Sequence, residues 1–184
     1  AHYHSAVPGS VETLKDASVA DLDEALKGKS TFFFLGHGDM VLQGEYVLAF
    51  VGADGKLESI TADTLVSIFK THAKRGHLKE VVLMGCCTKA LGERLRSEAG
   101  VQVVVCWDSK LHDKAAPIFS ETYAKARAAM VAPKAAFKQA KLAVEAKTED
   151  GHYDNGVQGK VAMYKFVAPE DRTAVYQKDE CSRM

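Results

Sequence analysis

No run of about 18 or more consecutive apolar residues occurs in this chain, so a bilayer-spanning helix is not expected. Charge of one sign is not in excess either: 24 basic and 24 acidic residues give a formal net charge of zero. That balance recommends neither nucleic acid nor an anionic membrane as partner. Cysteine is sparse, with four in 184 residues. Disulfide-stapled secreted scaffolds are usually smaller and richer in cysteine. Cys86, Cys87, Cys106 and Cys181 are therefore expected as thiols in the cytoplasm or another reducing compartment. The opening AHYHSAVPGS lacks the basic and apolar regions of a signal peptide, and residues 1–9 read as a disordered or added end. The seven histidines have no CxxC or HExxH spacing around them, so no metal is expected. His2 and His4 belong to the terminus, and a helix end separates His72 from His77. GHGDM lacks the Lys and Ser/Thr of a phosphate loop, no GxGxxG occurs, and no cofactor is expected.

What is present is globular: 47% hydrophobic, 26% charged, and of one-domain length. Helical and strand patterns alternate, which indicates an α/β layer architecture. SVADLDEALKG reads as a helix with Ser18 and Asp21 as capping box and Gly28 as stop. TFFFLG is apolar without alternation and predicts a strand buried on both faces. EYVLAFVGADGK predicts one strand ending in an Asp-Gly turn. TADTLVSIFKTHAKRG places Leu65, Ile68, Phe69 and His72 at helical spacing. EVVLMG and VQVVVCW are further buried strands, with the helix TKALGERLRSEAG between them. Two helices follow, the second with Pro133 in its first turn, then a polar loop over 148–160 and a late strand, VAMYKFVA. The expected fold is a mostly parallel sheet with helices on both faces, over residues 10–170, followed by a polar tail, 171–184.

Ligands of such sheets sit at the carboxyl ends of the strands. That rule selects His37, the Cys86–Cys87 pair and Asp108. A cysteine between a buried strand and a helix start meets unpaired N–H groups and the positive end of the helix dipole. Both favour the thiolate, which is the nucleophilic form. His37 ends a parallel strand, so its imidazole and the thiol can meet on one sheet edge and share acid–base work. The Gly38 and Cys86 N–H groups are candidate oxyanion donors. The plainer account is a small core cysteine, a hydrogen-bonded histidine and an Asp108 that caps a helix. Asp113 reads as a helix cap, Cys106 as core and Cys181 as an inert tail thiol.

FFFLGHGD resembles the hydrophobic block and His-Gly of caspase-like cysteine peptidases. VVLMGCCTKALGERL is similar to that clan's second block, which runs into the nucleophile. The nearest pattern is that of the CHAT subgroup, in which a cysteine, a Thr and a Leu-Gly helix start follow a strand. Here these are Cys86, Thr88 and Leu91-Gly92. Trp107, Asp113, Ala115, Ala116, Phe119 and Tyr123 match the downstream pattern, so the resemblance covers roughly residues 10 to 146.

The resemblance implies a three-layer caspase-like sandwich, His37 as general acid/base and Cys86 as nucleophile. It implies a thioester acyl-enzyme on a protein or peptide substrate, and a possible regulatory protein partner. Substrate contacts would come from Asp108, Met84 and Trp107. Asp108 could meet a basic side chain, whereas Met84 is apolar where basic-specific members of the clan often carry an acid. Cys87 departs from the usual acidic or polar residue and reads as a backup thiol, a redox partner or a simple replacement. Two other classes stay open: a silent CHAT-type scaffold, and a small-molecule hydrolase or transferase using the same cleft.

Overall fold

The computed structural model describes residues 14–52, 54–108, 111, 115–149 and 164–167, with 147–149 and 164–167 as backbone only. The expected N-terminal end, the tail, His2, His4, Asp113 and Cys181 lie outside the described residues. The fold is mixed α/β, and the described residues divide into two compact units.

The larger unit holds residues 14–108 and the late strand. Its first helix, α1 (Val19–Ala25), begins at Ser18, whose hydroxyl accepts the Asp21 N–H while the Asp21 carboxylate accepts the Ser18 N–H. This reciprocal cap satisfies two N–H groups that a helix start leaves open. Three parallel strands form the sheet centre: β1 (Thr31–Leu35), β6 (Glu80–Met84) and β7 (Val103–Trp107). A fourth, β8 (Tyr164–Val167), pairs antiparallel with β7, giving the order β1-β6-β7-β8. β6 lies between β1 and β7, and all five of its residues are buried, the apolar run 81–84 as its place between two strands requires and Glu80 with it. β1 differs from expectation. Among the described residues it is an edge strand, with Thr31 and Leu35 exposed, so its apolar run is only partly covered.

The predicted single strand over EYVLAFV is instead two short ones. β3 (Glu45–Val47) pairs with β2 (Met40–Leu42), and β4 (Ala49–Val51) pairs with β5 (Leu57–Ser59). The chain changes partner at the fully buried Leu48, and the next N–H, of Ala49, bonds to the His37 carbonyl. The expected Asp-Gly turn does close β4–β5, with Gly55 at φ +76°.

Helix α2 (Ala62–Lys74) buries Leu65, Phe69 and His72 of the face its spacing predicted, with Ile68 half-buried against the core. Helix α3 (Lys89–Ser97) packs on β7 and against α2. Leu26, Phe34, Leu65, Phe69, Val81, Leu83, Leu95 and Val104 are among the side chains of one continuous core. Arg94 of α3 ties its outer edge together, reaching Glu45, Asp63 and Glu98 at 3.3, 2.5 and 2.8 Å.

The smaller unit is a helix pair, α4 (Ala115–Ala128) and α5 (Pro133–Glu149). Phe119 stacks on Tyr123 and meets Phe137 edge-on, with ring centroids 5.6 Å apart in the second pair. Pro133 does open α5, and the helix runs through Thr148 and Glu149, where a loop was expected to begin. The remainder of that loop lies outside the described residues. No helix among the described residues is long and apolar enough to cross a membrane.

Candidate active site

β1 and β6 end side by side, in register from Thr31–Glu80 to Leu35–Met84. The ladder continues one step further, the Gly36 N–H bonding to the Met84 carbonyl at 3.2 Å. The next residue of each strand's exit loop then comes to the same edge: His37 after β1, Cys86 after β6.

Two glycines let these loops touch. A Cβ on Gly38 would lie 2.6 Å from the Cys86 carbonyl oxygen and 2.6 Å from Thr88 Cγ2. A Cβ on Gly85 would lie 2.9 Å from the Gly36 oxygen and 3.1 Å from the Gly38 nitrogen. Backbone therefore rests on backbone, and any side chain at either position would push the loops apart. Gly38 is buried, and its N–H makes no hydrogen bond among the described residues.

The two loops hold their functional side chains differently. The His37 carbonyl accepts the Ala49 N–H at 2.9 Å, which pins its backbone. Its imidazole is 74% exposed, with Nδ1 4.0 Å from Asp39 Oδ1, beyond hydrogen-bond reach. Cys86 is a half-buried free thiol on a turn built almost wholly inside the protein. Gly85, Cys87 and Thr88 around it are all buried. Cys87 adopts φ +54°, a left-handed conformation that costs a non-glycine residue about 1–2 kcal/mol.

Thr88 and Lys89 hold that turn. The Thr88 hydroxyl donates to the Gly85 carbonyl at 3.2 Å and accepts the Trp107 N–H at 3.0 Å. It makes no bond to the α3 start, although it stands at the cap position. Lys89 Nζ sits 2.8 Å from Asp108 Oδ1, with both side chains close to nine-tenths buried.

Asp108 is thus engaged by Lys89, and a basic substrate side chain would have to compete with that lysine. Met84 and Trp107 are 2% and 1% exposed, and the Trp107 indole N–H donates to the Met84 sulfur at 3.1 Å. They brace the end of the sheet from within. Cys106 is fully buried, as its alternation in β7 suggested, and makes no disulfide. Cys87 is disulfide-bonded, which overturns the expectation that it is a thiol and leaves Cys86 as the free thiol of the turn. His72 stands apart from the site: buried on α2, its Nε2–H donates to Asp23 at 2.8 Å.

Sequence reasoning missed Lys89 and Asp39. Asp39 stands in the quoted motif itself, two residues beyond His37. Lys89 carries no local signal, because its partner belongs to another strand. Comparison with known protein families and with curated proteins finds no match for this chain.

Proposed function

We propose that this protein is a caspase-like, CHAT-type cysteine endopeptidase, with His37 and Cys86 as its dyad. The carrying observation is the backbone contact between Gly38 and the Gly85–Thr88 turn, which brings the two loops onto one edge. His37 takes the thiol proton of Cys86, and the Sγ thiolate attacks the scissile carbonyl carbon of a protein or peptide substrate, the C=O electron pair moving onto oxygen. The oxyanion is received by the Gly38 and Cys86 N–H groups, and Gly38 has its donor uncommitted among the described residues. The His37 imidazolium protonates the leaving amine as the C–N bond breaks, leaving a thioester on Cys86. Water then adds to the thioester carbonyl with His37 taking its proton, and the acid product departs with the thiol restored. In this reading the sheet and helices belong to a three-layer sandwich, and a regulatory protein partner orients the imidazole.

One observation favours a second reading, a silent CHAT-type scaffold. The imidazole is exposed and Asp39 lies too far from Nδ1 to hold it. Iodoacetamide labelling separates the two. Faster labelling at Cys86 than at Cys106, slowed in His37→Ala, supports the peptidase, and a peptide library then gives its specificity. Slow labelling at Cys86, unchanged in His37→Ala, refutes the dyad and leaves the scaffold.

A further inference from the structure

The β6–β7 register runs from Glu80–Val103 to Val82–Val105 and stops there. Beyond that point β6 follows β1, and the Trp107 N–H turns to a side chain, the Thr88 hydroxyl. The next residue on each side forms the Lys89–Asp108 ion pair at 2.8 Å, with side chains 13% and 12% exposed. Residues 88 and 89 are therefore tied to residues 107 and 108 by two consecutive rungs, one neutral and one charged. These rungs replace the ladder where the strands part.

Cys86 lies on the short segment between the last β1–β6 rung, at Met84, and this clamp at Thr88 and Lys89. That segment contains Cys87 in its left-handed conformation. A non-glycine residue stays in such a conformation only where its surroundings over-determine it. The Gly38 contact fixes one side of the segment, and the clamp fixes the other.

We infer that the Lys89–Asp108 pair is a positioning device that holds the Cys86 turn in the orientation in which its thiol is coupled to His37. The inference rests on the dyad reading above. Asp108 then serves the protein's own lysine and does not read substrate charge. Lys89 acts through the turn and touches no reacting atom.

A double-mutant cycle on the full chain tests it, with iodoacetamide as probe and the rate of Cys86 alkylation followed across the pH range in which thiols ionise. His37→Ala is expected to slow alkylation of the native protein by about tenfold, and to change it by less than about twofold in a Lys89→Met background. Lys89→Arg and the charge exchange Lys89→Asp with Asp108→Lys should each restore the full His37 effect, which a loss of stability alone would not predict. If Lys89→Met does not fold, Asp108→Asn removes the charge pairing with least change of shape. An equal His37 effect in native, Lys89→Met and Asp108→Asn proteins would overturn the positioning role while leaving the dyad intact. No His37 effect in the native protein would overturn the dyad, and this inference with it.

Discussion

The two loops at the sheet edge are built to opposite specifications. After β1 the chain presents His37 on an edge strand, anchored by main-chain bonds alone, with its ring in solvent. After β6 it presents Cys86 from the sheet centre, between buried neighbours, with a hydroxyl and an ion pair fixing the turn. Among the described residues β1 has one neighbouring strand to organise its exit loop, and β6 has two. The turn that carries the thiol is therefore held on both sides, whereas the His37 ring is largely in solvent.

The Gly38 contact is where this contrast is most open to attack. Gly38→Ala drives a methyl into the Cys86 carbonyl and Thr88, neither of which can swing away. We expect a loss of about 3 kcal/mol in urea unfolding, the upper part of the overpacking range, together with loss of selective Cys86 labelling. Gly36→Ala, two residues earlier, meets the far end of the Phe34 ring at 2.9 Å. A ring edge can tilt, so about 1 kcal/mol is expected. Equal losses at the two positions would mean that the loops do not rest backbone on backbone.

Thr88→Val tests the other side. Shape is kept, but the buried Trp107 N–H loses its acceptor, which should cost about 1–3 kcal/mol. The labelling rate of Cys86 should change with it. A variant that is destabilised yet labels normally would show that the hydroxyl supports β7 and not the turn.

Local chemistry made part of this legible. Ser18 and Asp21 declare the α1 start because the cap is made within four residues, and the strand-end rule picked out His37 and Cys86 from two apolar runs. Contacts between distant residues were not legible. EYVLAFV looks like one strand because nothing in its residues announces a change of pairing partner at Leu48. β1 reads as buried on both faces because its apolar run does not reveal that it stands at an edge. Asp108 reads as a substrate contact or a helix cap, and nothing marks Lys89 as its partner until the fold brings β7 alongside α3. Asp113, matched by the family pattern, lies outside the described residues.

Arg94 offers a smaller test, away from both loops. Its guanidinium pKa is raised, chiefly by the hydrogen bonds it donates to Glu98 and then to Asp63, yet its carboxylate partners are largely solvent-exposed. Exposed pairs contribute little and weaken in salt. Arg94→Met should lower the unfolding midpoint less than Thr88→Val does, and added salt should shrink the difference from the native protein. A salt-independent loss would point to packing of the arginine stem instead.

The smallest effect concerns acid, and it involves residues outside the two loops. Four carboxylates have lowered pKa values: Asp23 through its hydrogen bond from His72, Asp21 through Ser18, Glu98 through Arg94 and Asp54 through Lys56. None of the four belongs to the His37 or Cys86 loop. A carboxyl whose folded pKa is depressed binds fewer protons in the native state than in the unfolded one. Its contribution is complete above the unfolded value, about 3.9 for Asp and 4.3 for Glu, and is lost as pH falls through the lower folded value. Asp23→Asn should therefore be less stable than the native protein near neutrality, and the gap in unfolding midpoint should begin to narrow below about pH 4 and vanish only below the depressed folded value, where the native Asp23 is also neutral. A gap that stays constant through that window would mean the His72 contact stabilises through shape and not through charge.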